Sequence, residues 1–129
     1  MVCQHYCRYV WLILALPCGV ARADDHTARE IITDARRGNC ISCHRVPLAG
    51  VPDGAFGNIG PSLAGVGARL SASQIRERIV DARRLRLNTL MPPYGSKQGL
   101  YRVQKRFEDR TILSDAEIDV VVTYLSSLK

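Results

Sequence analysis

Apolar positions recur at helical spacing in three separate stretches of the chain. In the first, Ala28, Ile31, Ile32 and Ala35 share one face, and Thr27 followed three residues later by Glu30 predicts a capped start. Gly38 predicts its end. The second stretch runs from about Ser73 to Arg84, with Ile75, Ile79 and Ala82 on the buried side. The third opens at Ser114, where Glu117 completes another capping box, and carries Ile118, Val121, Val122 and Leu125 on a stripe suited to crossing the first helix. Residues 45–60 are rich in glycine and proline and read as a loop. Residues 96–110 show no clean period. The pattern predicts an all-α fold.

The candidate chemistry sits just after the first helix, at Cys40-Ile41-Ser42-Cys43-His44. On a helical turn, positions i, i+3 and i+4 share a face, so both thiols and the imidazole can address one flat object. A porphyrin fits: two thiols can add to two vinyl groups while the adjacent histidine sits beneath the iron. A zinc site would want four nitrogen or sulfur ligands, and beyond residue 23 only His26 could add to this set. A thioredoxin-like pair would want a strand before the motif, and a disulfide would close too small a loop to stabilise much. The motif predicts one covalently bound haem c, with Cys40 and Cys43 as thioether anchors and His44 as an axial iron ligand.

Residues 1–23 read as a cleaved signal peptide, with Arg8, an apolar run from Val10 to Leu16 and the exit Ala21-Arg22-Ala23. The run is too short to span a bilayer, which takes roughly 20 residues, so stable membrane insertion is not expected. Cleavage would leave residues 24–129 as one cytochrome c domain. It would also remove Cys3, Cys7 and Cys18, leaving the motif's two cysteines alone. The expected location is the bacterial periplasm, where haem c chemistry and exported thiols agree. Without Arg8 and Arg22 the chain has 16 basic and 12 acidic residues, a moderate positive balance. For an exported protein this does not point to nucleic acid.

A second decisive stretch is Leu90-Met91-Pro92-Pro93-Tyr94. Without Met1, Met91 is the sole methionine, and it stands in a proline-stiffened loop that can hold a thioether against iron. Met91 is the expected second axial ligand; the competing reading is an ordinary core methionine. His26 reads as a solvated residue, with a ligand role as the lesser alternative. Pro61 keeps a carbonyl that can accept the ring N–H of His44; a plain turn proline reads equally well. Arg76, Arg78, Arg83, Arg84 and Arg86 cluster around the second helix. They read as a solvated face, partly neutralised by Glu77 and Asp81, or as a surface that steers an acidic partner.

The order of helix, CxxCH, glycine-rich loop, helix, Met-Pro loop and terminal helix resembles the class I cytochrome c fold. Within it, Gly38 to His44, Gly57-Asn58-Ile59-Gly60-Pro61, Gly65 to Leu70, Leu90-Met91-Pro92 and Ile112 to Leu125 resemble SoxX, the monohaem subunit of the SoxAX cytochromes of sulfur oxidation. Glu108-Asp109-Arg110 departs from the family, which tends to have glycine after the phenylalanine there. The resemblance implies a SoxA-like partner carrying the reactive centre, where thiosulfate is joined to a cysteine of the carrier SoxYZ. This chain would receive the electrons and pass them to a downstream cytochrome c, holding no catalytic residue itself. Two alternatives remain open: a free-standing electron shuttle, and a gas-binding or sensor cytochrome if Met91 is not a ligand.

Overall fold

The computed structural model describes residues 21–129. Most of the expected leader, with Cys3, Cys7 and Cys18, lies outside the described residues. Four α-helices follow in order: α1 (Ala21–Thr33), α2 (Val66–Arg69), α3 (Ala72–Asp81) and α4 (Asp115–Ser127). Single 3-10 turns lie at Cys40–Ser42, Asp53–Ala55, Ala82–Arg84 and Lys105–Phe107, and there is no strand among the described residues. The all-α expectation holds.

Helix α4 is the central element, because α1, α2 and α3 all pack on it. Its Ile118, Val121, Val122 and Leu125 are buried against Ile31 and Ile32 of α1 and Ile75 and Ile79 of α3. Each such side chain, fully removed from water, contributes roughly 1.5–3 kcal/mol. Ser114 caps α4 as its sequence predicts, its hydroxyl accepting from the Glu117 N–H while Glu117 accepts from the Ser114 N–H at 2.8 Å. The short α2 meets the end of α4 backbone to backbone. The Gly67 N–H donates to the Leu128 carbonyl at 2.8 Å, and a Cβ at Gly67 would collide with the Ser126 carbonyl.

Both ends of α1 and of α3 differ from the sequence reading. Helix α1 begins at Ala21, so Thr27 is an interior residue and not a cap. Alanines at 21, 23 and 28 favour helix, and His26 pairs with Glu30 one turn on at 3.5 Å, so the helix continues through a residue that would otherwise start one. Its other end comes at Thr33, which leaves Ala35 exposed in the following turn. The chain then folds back, with the Gly38 N–H donating to the Ile31 carbonyl at 3.1 Å. Helix α3 starts earlier than Ser73, under a capping box of Ser71 and Gln74, and stops at Asp81. There the Asp81 carboxylate accepts from the Arg83 N–H and turns residues 82–84 into a tighter 3-10 helix.

Candidate haem-attachment site

The chain enters the motif through Asn39 in the left-handed region (φ 45°), and Cys40–Ser42 forms a 3-10 turn. The His44 N–H then donates to the Cys40 carbonyl at 2.9 Å, closing one α-helical turn. Cys40, Cys43 and His44 consequently face one cavity of about 840 Å³. The shared face expected from the spacing is present.

The remaining walls are mostly aliphatic, drawn from α3 (Ile75, Ile79), α4 (Val121, Leu125) and the connecting loops. Volume and lining suit a large apolar cofactor, for which pockets run to roughly 300–1,000 Å³. Met91 lines the same cavity from the loop after α3, 47 positions beyond His44 in sequence. Its N–H donates to the Thr89 hydroxyl at 3.1 Å. His26, the weaker ligand candidate, is exposed and does not line the cavity.

His44 is held in one orientation. Its Nδ1 lies 2.7 Å from the Pro61 carbonyl oxygen. A carbonyl can only accept, so Nδ1 carries a proton, and in the neutral ring the lone pair is then on Nε2, the tautomer in which imidazole binds a metal. The loop that supplies the carbonyl is pinned beside the motif: the Gly57 N–H donates to Ile41, Gly60 to Cys43 and Leu63 to Arg45, at 2.8 to 2.9 Å. Gly60 packs flat on the imidazole, where any Cβ would collide with the ring. Arg69 clamps the far side of the same loop by donating to the carbonyls of Ala64 at 2.6 Å and Ser62 at 3.0 Å.

The donor set fits haem and not a bare metal ion. Both thiols are free. Burial, helped by neighbouring Cys43 and opposed by a backbone hydrogen bond, pushes the Cys40 thiol up to about 11. Among the described residues no group of three or more His, Cys, Asp and Glu side chains is placed to hold a metal.

Sequence reasoning missed three supports of the site. Tyr94 is buried and donates its hydroxyl to the Gly38 carbonyl at 2.8 Å, fastening the Met91 loop to the segment before Cys40. Burial, then the two nearby thiols, hold the phenol far above its ordinary range, so it remains a donor. Arg37 donates to Glu117 at 2.5 and 3.1 Å, tying the same segment to α4. Buried Asp81 holds Arg83, which also donates to the Gln98 carbonyl at 2.8 Å and steadies the loop after Tyr94. Only Glu117 carried a visible signal, and that signal was its cap. The arginine cluster is also more occupied than its sequence suggests: Arg76 pairs with Asp115 and Asp119 of α4, not with Glu77.

Helices around a CxxCH motif, with a histidine fixed by a proline carbonyl and a methionine lining the same cavity, define a c-type cytochrome. The cytochrome c family pattern matches residues 29–129, and the chain belongs to that family, whose cofactor is covalently bound haem c. Its fold is similar to a chain of the crystal structure of SoxXA from P. pantotrophus, with a TM-score of 0.71, 30% identity and 81% of each chain covered. The protein is thus a SoxX-like monohaem cytochrome with the class I fold. No curated protein matches the chain.

Proposed function

We propose that the protein is the electron-transfer subunit of a periplasmic SoxAX-type complex. The observation that carries the site assignment is the 2.7 Å contact between His44 Nδ1 and the Pro61 carbonyl, which occupies Nδ1 and leaves Nε2 as the ring nitrogen available to a metal in the cavity that Met91 also lines. Cys40 and Cys43 would hold the haem by thioether bonds, and His44 and Met91 would ligate its iron. Bound there, haem supplies a reversible one-electron carrier, and a methionine ligand raises its potential relative to a second nitrogen. The Pro61 carbonyl holds the imidazole in one orientation. The aliphatic walls would shield the iron from water.

Similarity to SoxXA supports a SoxA-like partner for this chain. On that partner, joining thiosulfate to the SoxYZ cysteine forms a sulfur–sulfur bond and releases the thiol proton and an electron pair. This subunit would take those electrons singly and deliver them to a downstream cytochrome c. Residues 1–23 would be removed on export.

Purification from the native periplasm tests the reading. A second haem-bearing polypeptide should co-elute stoichiometrically through size exclusion, and the ferric protein should show the weak far-red methionine-to-iron charge-transfer band. Elution alone as a reducible monohaem protein overturns the subunit reading in favour of a free shuttle. Absence of the far-red band overturns the Met91 assignment.

A further inference from the structure

We infer that a second, smaller cavity of about 230 Å³ binds a tetrahedral inorganic dianion of the sulfate class, and that the ion is held more tightly when the haem iron is ferric. The inference needs the haem but not the partner, so it stands apart from the subunit reading. Cys43, Leu90, Pro92 and Tyr94 line both cavities and form the wall between them. On the far side of that wall every charged side chain is an arginine: Arg36, Arg37 and Arg106. None of the three lines the haem cavity, which has Arg69, Arg78 and Arg86 of its own to meet the propionates of a haem. A cleft lined by one sign of charge raises the local concentration of the opposite ion.

The chain neutralises little of this charge itself. No carboxylate among the described residues pairs with Arg36 or Arg106, whereas Arg37, Arg45, Arg76 and Arg83 all have one. Asp34, the carboxylate nearest to Arg36 in sequence, accepts from the Arg36 backbone N–H at 2.8 Å and holds the turn that carries both Arg36 and Arg37. Arg37 gives Glu117 its Nε and one Nη, which leaves the N–H groups of the other Nη to spare. The Arg106 guanidinium lies 4.7 Å from the centre of the Phe107 ring, and Phe107 itself lines the cavity. Stacking of this kind fixes the plane of a guanidinium and leaves its edge free to donate. Paired N–H groups match two oxygens of one anion, which a halide cannot offer. Two guanidiniums without a carboxylate call for two negative charges. Leu90, Pro92 and Ile112 supply an apolar side that strengthens the attraction. Ferric iron carries one more positive charge than ferrous, so an anion across the shared wall favours the ferric state, and by linkage the ferric state favours the anion.

The test titrates the isolated holoprotein with sodium sulfate in a calorimeter, with ionic strength held constant by sodium chloride. One saturable site is expected, and Arg36→Gln and Arg106→Gln should each weaken it by about tenfold, with the visible spectrum of each variant unchanged. Arg84→Gln removes the same charge from an exposed arginine that lines neither cavity, and should bind as wild type. Saturating sulfate should lower the reduction potential of the wild type and leave that of the Arg36→Gln, Arg106→Gln double variant unmoved. A tenfold tighter hold on the ferric form reads as a fall of about 59 mV. Absence of saturation, or wild-type affinity in both cavity variants, overturns the site. Equal weakening by Arg84→Gln would mean diffuse attraction to a basic surface and overturns it as well. Saturable binding with no change in potential overturns the coupling to the haem.

Discussion

Tyr94 donates its hydroxyl proton to the Gly38 carbonyl at 2.8 Å, across 56 positions of sequence. Through this bond the loop carrying Met91 is fastened to the segment entering Cys40, so the two walls of the cavity are positioned against each other. Two further backbone bonds hold the tyrosine, its N–H donating to Ile79 at 3.1 Å and its carbonyl accepting from Leu113 at 3.0 Å. Tyr94→Phe should keep the ring packing and remove only the hydroxyl, leaving a buried carbonyl unpaired. A loss of about 1–3 kcal/mol is expected in denaturant unfolding of the holoprotein.

Gly60 and Gly54 make a matched pair for testing the histidine's seat. A Cβ at Gly60 would enter the His44 ring, while one at Gly54 meets nothing within 4 Å. Gly60→Ala should displace the imidazole from Pro61 and lower the yield of low-spin holoprotein. Gly54→Ala should leave the visible spectrum unchanged and alter stability by less than about 1 kcal/mol.

Met91→Leu separates ligation from packing. The substitution roughly conserves volume, so unfolding free energy should fall by less than about 1.5 kcal/mol beyond whatever the iron bond contributes. The far-red band should vanish and the reduction potential should fall. Retention of the band in this variant would remove Met91 from the iron.

Two carboxyls link stability to acid. Hydrogen bonds from Arg83 hold the Asp81 carboxyl below its usual value, outweighing the effect of burial. For Glu117 burial pushes upward, but bonds from the Ser114 backbone and Arg37 together prevail and its value is also lowered. A depressed folded-state pKa adds stability that is fully present above the ordinary carboxylate range and is lost as pH falls through the folded value. Unfolding free energy should therefore decline from about pH 4.5 downward. Asp81→Asn and Glu117→Gln should each flatten that decline, measured by denaturant titration between neutral and acid pH.

The helices were legible where local rules governed them. The Ser114 box and the stripe from Ile118 to Leu125 lie in one continuous segment, and both are present as read. The ends of helix α1 do not follow from local rules, because Thr27 can cap a helix or continue one and neighbouring residues decide which. Likewise the arginines of α3 could be counted but not assigned, since the carboxylates that hold Arg76 come from α4.

The anchors and candidate ligands were readable because covalent haem attachment imposes a spacing within five consecutive residues, and because residues 24–129 contain a single methionine in a proline-stiffened loop. What the linear chain determined was chemistry set by neighbours: the CxxCH turn, the helix stripes and the glycine-proline loop. Tertiary structure decided which distant atoms meet. The sequence left the Pro61 carbonyl balanced between a turn and a partner for His44, and folding placed it 2.7 Å from Nδ1. Tyr94, Arg69 and Arg37 gave no advance sign of their roles, because a hydrogen bond across the fold leaves no periodicity in the chain that makes it.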